Sequence, residues 1–110
     1  QQSVFDVGQT IVIKAGYIVA VEAMEGTDQT IHRAGRVGGK GLVVVKMPRI
    51  EHDFRFDVPV IGPSTIQTMK RAGGTCLAIE SGSTLIFDRA KTVALAKATD
   101  IAIYATESLR

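Results

Sequence analysis

The sequence predicts one α/β domain, with a mixed sheet that is antiparallel at its N-terminal edge and parallel in the centre, and about three helices. Three observations carry that expectation. Residues 4–14 and 17–25 are rich in β-branched side chains and flank a tight turn at Ala15 and Gly16, the pattern of a hairpin. Residues 42–46 (LVVVK) form a continuous apolar run of strand length, as expected of a central strand covered on both faces. From there onward, strand-like and helix-like segments alternate, which is how parallel strand–helix units read.

The elements follow in order. Gly26 breaks the second hairpin strand, and Thr27 or Asp28 is placed to N-cap a helix that Gly35 ends. VGGKG at 37–41 is a loop before the LVVVK strand, which Pro48 terminates. A short strand within residues 57–62 is limited by Pro59. Ser64 is a good N-cap for the next helix, with Gly73 as its stop. CLAIE (76–80) is a strand, SGS a turn and TLIF (84–87) another strand. Asp88 then caps a helix over 89–99, and IAIYA (101–105) is the last strand.

Composition narrows the function classes. The chain has 110 residues, enough for a single core, and 45% of them are apolar. It begins with Gln, which predicts a processed chain or a piece of something larger. Trp is absent and aromatics make up 5%, which argues against a base-stacking module. A net charge of +2 with scattered Lys and Arg gives no footprint for duplex nucleic acid. The lone Cys76 allows no internal disulfide and reads as a core thiol of a reducing compartment. No apolar run reaches the ~18 residues of a membrane span, and no signal-peptide pattern precedes the domain. A cytoplasmic protein is expected, with contact to a membrane surface left open.

The acids are concentrated in one stretch. IEHDFRFDVPVIGP (50–63) places Glu51, His52, Asp53, Arg55 and Asp57 within seven positions. As an extended segment it turns Phe54 and Phe56 to one side, toward the core, and Asp53, Arg55 and Asp57 to the other. Carboxylates four positions apart on a strand lie roughly 13 Å apart, so they share a metal only if the segment bends, and Val58–Pro59 favours a bend. A solvated charge ladder is the competing reading. EAMEGTDQ (22–29) is a second candidate: Glu22 and Glu25 end a strand, Gly26 permits a sharp turn and Asp28 opens a helix. Acids there are good capping chemistry, or one wall of the strand-to-helix crevice where open α/β sheets bind ligands. Acids repel phosphate, so a phosphate ligand would need a bridging cation. GGKG (38–41) has the makings of an anion nest around Lys40, or is a plain turn; its spacing is not that of a P-loop. Lys46 ends a buried strand, an unusual place for a lone lysine, and suits an anion or one of the acids. His32, His52 and Cys76 make no zinc spacing.

Taken together these stretches are more specific than any one of them. DVGQTIVIKAGYIVAVEAMEGTDQTIHRAG, GGKGLVVVKM, DFRFDVPVIGPSTIQTM and AGGTCLAIESGSTLIFDR occur in this order. The chain resembles the C-terminal domain of the bacterial UDP-2,3-diacylglucosamine pyrophosphatases of the lipid A pathway, the LpxI type, over nearly its whole length. EGTD followed by DFRFDVP is the distinctive pair. The resemblance implies Mg²⁺-dependent hydrolysis of UDP-2,3-diacylglucosamine to UMP and 2,3-diacylglucosamine 1-phosphate. It also implies a Gram-negative source, an N-terminal domain outside residues 1–110, a cytoplasmic location peripheral to the inner membrane, and no nucleic-acid partner. It further implies a catalytic role for Asp57 first and Asp53 second, both as metal holders, with Arg55 beside them. Lys46, Glu25, Thr27 and Asp28 would meet the substrate. Two other classes stay open: a binding or homodimerisation domain pairing through the exposed hairpin edge, and a small-ligand regulatory module without turnover.

Overall fold

The computed structural model describes residues 9–22, 26–50, 56, 57 and 59–107. The side chains of Arg49, Ile50, Phe56 and Asp57 are outside that description. The elements run β1 (Gln9–Lys14), β2 (Tyr17–Val21), α1 (Thr27–Gly38), β3 (Leu42–Met47), β4 (Arg49–Ile50), β5 (Phe56–Asp57), β6 (Val60–Ile61), α2 (Pro63–Ala72), β7 (Gly74–Glu80), β8 (Leu85–Ile86), α3 (Arg89–Ala98) and β9 (Ala102–Thr106). This is the expected α/β fold with a mixed sheet and three helices.

The main sheet has five strands in the order β2-β1-β3-β7-β9. β1 pairs antiparallel with both β2 and β3, whereas β3, β7 and β9 are mutually parallel. Strand β2 therefore runs in the same direction as β3, β7 and β9. Each of the three strand–helix–strand connections steps the same way along the sheet. Such crossovers take one hand, so all three helices lie on one face, where α1 packs on α2 and α2 on α3.

That face holds the core. Val12, Val44 and Leu77 are neighbours across the three central strands and are fully buried, as are Ile31 of α1 and Ile66 and Met69 of α2. In α1 the buried positions are Thr27, Thr30, Ile31 and Ala34, the i, i+3, i+4, i+7 spacing of a helix laid on a sheet. β3 alternates buried and half-buried residues, so it is fully covered on one face only. The expectation of a strand buried on both faces is corrected in that respect. Cys76 is half-buried, because its neighbour Leu77 takes the helix-covered side.

Several boundaries differ from expectation, each for a local reason. Helix α1 does not stop at Gly35 but runs on to Gly38. Gly35 is instead where α1 approaches α2: a Cβ there would lie 2.8 Å from Ala72 Cβ. The N-cap of α1 is Gly26, and that of α2 is Gly62 rather than Ser64, with Pro63 opening the helix. Gly73 does end α2, in the left-handed conformation at φ 94°. The TLIF segment contributes only Leu85 and Ile86 to a strand, and they pair parallel with β6 outside the main sheet. Ladder β4–β5, pairing Arg49 with Asp57, had no sequence signal. The expectation that Phe54 and Phe56 face the core falls on side chains outside the description.

Gly35→Ala tests the α1–α2 approach. At an open helical site this change stabilises by about 1 kcal/mol. Here the added methyl has no room, and overpacking is expected to lower the unfolding free energy by about 1–3 kcal/mol in urea melts. A stabilised variant would contradict the close approach.

Candidate active site

The parallel direction of β2, β3, β7 and β9 has a direct consequence. A helix that follows one strand and precedes a parallel neighbour must begin at the carboxyl edge of the sheet. All three helices do so, and their first turns surround one cavity of about 560 Å³. Thr27 and Asp28 come from α1; Pro63, Ser64, Thr65 and Gln67 come from α2; Asp88 and Lys91 come from the start of α3. Val60, Ile61, Gly62 and Phe87 complete the wall.

The entry to each helix is set locally. Gly26 has φ 92°, a conformation that suits glycine, and its carbonyl accepts from the Thr30 amide at 3.1 Å and the Thr30 hydroxyl at 2.8 Å. The Gly62 amide donates to Thr65 Oγ1 at 3.2 Å, and the Thr65 amide donates back to the Gly62 carbonyl at 3.1 Å. Asp88 stands at the N-cap of α3 as expected, yet its side chain makes no cap hydrogen bond. The Thr92 hydroxyl is shared instead between the carbonyls of Phe87, at 2.8 Å, and Asp88, at 3.0 Å.

Helix N-termini carry partial positive charge and amides without intrahelical acceptors. Three of them around one cavity, with the exposed Lys91, suit an anion. Asp28 and Asp88 place two carboxylates at the same cavity, the arrangement that suits a phosphate group bridged by a cation. Among the described residues, no three His, Cys, Asp or Glu side chains gather at a single point.

A buried polar group lies behind this wall. Lys46 is fully buried and Nζ donates to Thr27 Oγ1 at 2.6 Å. Thr27 Oγ1 lies 3.2 Å from Thr10 Oγ1. Thr10 is paired with Lys46 across β1 and β3, and the Glu22 amide donates to the Thr10 carbonyl at 2.8 Å. Glu22 is itself 5% exposed, so a carboxylate and an ammonium flank Thr10 on the helix-covered side of the sheet.

Of the residues singled out in the sequence, Thr27 and Asp28 line the cavity and Lys46 reaches it through Thr27. Asp57 lies in β5, paired with Arg49 just past the end of β3 and three residues before the cavity residue Val60. Asp53, Arg55 and Glu25 lie outside the described residues. Sequence reasoning treated Ser64 and Asp88 only as caps, and did not single out Thr65, Phe87 or Lys91. The signal available for them was topological: helices that start at one sheet edge bring their first turns together. The GGKG segment sits at the other end of α1, where Lys14 Nζ donates to the Gly38 carbonyl. That is a capped helix C-terminus, the negative end of the dipole.

Residues 1–104 match the family model described as the LpxI C-terminal domain. A UDP-2,3-diacylglucosamine pyrophosphatase LpxI from Caulobacter vibrioides (strain ATCC 19089 / CIP 103742 / CB 15) is 36% identical over 99 residues. The match covers 83% of this chain and 35% of that relative, so the chain spans about a third of the relative's length.

Anion binding at the three N-termini is testable with inorganic pyrophosphate and calorimetry. Lys91→Ala is expected to weaken binding by up to about fivefold, the worth of one exposed charge pair. Lys97→Ala, in the last turn of the same helix, is expected to leave it unchanged. Equal effects from both would show that only net charge matters, not the cavity.

Proposed function

We propose that this chain, which belongs to the LpxI C-terminal domain family, forms the diphosphate-holding wall of an enzyme. That enzyme hydrolyses UDP-2,3-diacylglucosamine to UMP and 2,3-diacylglucosamine 1-phosphate in lipid A biosynthesis. The observation that carries the reading is the single cavity on which three helix N-termini converge. Hydrolysis of a pyrophosphate asks the protein mainly for in-line positioning and charge neutralisation. Helix N-termini and Lys91 supply fixed positive potential for the phosphoryl oxygens, and the Ser64, Thr65 and Thr27 hydroxyls line the same cavity.

Mg²⁺ fits the donor set. It binds through one or two carboxylates together with substrate phosphate oxygens, and Asp28 and Asp88 bring two carboxylates to the cavity. Asp57 is our first choice to hold the ion, with Asp53 second; Arg55 and Glu25 would border the substrate. When bound, the ion would neutralise diphosphate charge and lower the pKa of a coordinated water. Asp57 would otherwise orient the attacking water itself. The remainder of a longer protein would close the cleft over nucleotide and acyl chains, which are too extended for one wall. A substrate with a nucleotide head and acyl tails would be met at a membrane surface, in our reading the cytoplasmic one.

A second reading is a pairing domain. β2 is an edge strand, and Tyr17, Ile18 and Val21 on it are 77%, 65% and 45% exposed. This arrangement suits strand addition by a second copy.

Asp57→Asn in a full-length protein carrying this domain separates the two. UMP release from UDP-2,3-diacylglucosamine is expected to fall by roughly two orders of magnitude or more, with an unchanged melting curve. Near-normal turnover would reject the role of Asp57. Absence of turnover in the unmutated protein, with a stable dimer by sizing, would favour the second reading.

A further inference from the structure

The Lys and Arg residues that are scattered along the sequence are gathered by the fold. Strands β2, β3, β7 and β9 share one direction, so α1, α2 and α3 all end at the amino edge of the sheet, opposite the cavity. Their last turns carry Arg36, Lys70, Arg71 and Lys97. Lys40 lies in the connection from α1 to β3, and Lys14 ends β1 at the same edge. Asp100, between α3 and β9, is the one carboxylate there among the described residues. Glu22, Asp28, Asp57, Glu80, Asp88 and Glu107 stand at the carboxyl edge or just beyond it. Six cations against one carboxylate give the amino edge a formal charge of +5 among the described residues.

Basic side chains in the last turn of a helix complement the negative end of its dipole. That accounts for where they sit but does not neutralise them. Three helix C-termini carry roughly −1.5 charges in total, so the edge stays positive. Five of the six cations are exposed, and Lys14 is half-buried. The ends of α1 and α2 adjoin, since the Gly41 amide donates to the Gly73 carbonyl at 2.9 Å. At the usual strand spacing, five strands set these cations along an edge about 20 Å long.

Large apolar side chains are exposed at the same edge. Tyr17 is 77% exposed and Val37 72%. They share one corner: Tyr17 is the ladder partner of Lys14, and Lys14 Nζ donates to the carbonyl of Gly38, next to Val37. Ile18 follows Tyr17 and is exposed as well. Exposed apolar side chains beside a row of cations suit an anionic bilayer, where the cations meet headgroup phosphates and the apolar groups enter the boundary beneath them. Nucleic acid would satisfy the cations but leave Ile18 and Val37 in water.

We propose that the amino edge of the sheet is a docking surface for an anionic lipid bilayer, formed by Lys14, Arg36, Lys40, Lys70, Arg71 and Lys97 and by the apolar corner at Tyr17 and Val37. The inference does not depend on what the cavity binds. Docking by this edge turns the cavity away from the bilayer, so a ligand with acyl chains would be lifted clear of the membrane before it enters.

Co-sedimentation of the chain with vesicles tests this, comparing equal parts phosphatidylglycerol and phosphatidylcholine with phosphatidylcholine alone. Binding is expected to the anionic vesicles only, and is expected to fall as salt is raised. One basic residue near an anionic surface is worth about fivefold in binding. Lys70→Gln with Arg71→Gln is therefore expected to weaken binding about twentyfold, and Lys40→Gln with Lys97→Gln, outside α2, by about the same factor. Arg89→Gln with Lys91→Gln removes equal charge at the cavity edge and is expected to change binding by less than about twofold, because the bilayer lies beyond a Debye length. Val37→Ser is expected to weaken binding about threefold or more through lost apolar burial. All the substituted side chains are exposed, so folding is not at stake. Equal losses from the two edges, equal binding to both vesicle types, or no binding to either would overturn the proposal. Tighter binding to single-stranded RNA than to the vesicles, through the same residues, would assign the edge to nucleic acid and overturn it too.

Discussion

Four of the five strands of the main sheet share one direction, and this constraint organises the rest of the molecule. β1 is the exception, and because it is antiparallel to β2 a two-residue turn joins the two. Every other step between main-sheet strands has to bring the chain back to the starting edge, which takes a helix. Because each step moves the same way along the sheet, the helices fall on one face and begin at one edge. The apolar core and the cavity are thus two results of a single topology. The core lies between helices and sheet, and the cavity lies where the helices begin.

Thr27 joins these two parts. It is buried against the sheet, it opens α1, and it lines the cavity. The hydrogen bond that Lys46 donates to Thr27, and the one between the Thr27 and Thr10 hydroxyls, link the first turn of α1 to β3 and β1. A buried, hydrogen-bonded polar group adds less to stability than an apolar side chain of equal volume, but it fixes geometry more narrowly. In the proposed diphosphate reading, narrow geometry is what the site would need, since charge neutralisation depends steeply on distance in a medium that excludes water.

The fold was legible where patterns were long. The hairpin around Ala15 and Gly16, the LVVVK strand and the three helices all follow from periodicity and punctuation. Short elements were less legible: strands were expected within 57–62 and over 84–87, where β6 and β8 have two residues each, and β4 and β5 had no signal because two residues are too few to show alternation. Gly35 misled because a helix-breaking residue by propensity is a helix–helix contact by packing. Asp28 and Lys46 were singled out because an acid and a lone lysine stand out against apolar strands, and Thr27 as a possible helix cap; Thr27 and Asp28 line the cavity. Thr65 and Lys91 did not stand out, because a helix-terminal hydroxyl and a surface lysine are ordinary features. Only the topology of the three helices brings them to one cavity. Asp53, Arg55 and Glu25 lie outside the described residues, and their roles rest on the resemblance and the proposal built from it.

The central claim is that the first turns of α1, α2 and α3 act together as one ligand site. The direct measurement is a titration of the ¹⁵N-labelled chain with inorganic pyrophosphate, followed by backbone amide shifts. The account predicts that the amides of Thr27, Asp28, Ser64, Thr65, Arg89 and Ala90 move along one saturable curve, while Gly39 and Gly73 at the opposite helix ends stay in place. Shifts centred on residues 38–41 or on the β2 edge, or shifts that differ in midpoint from helix to helix, would contradict it.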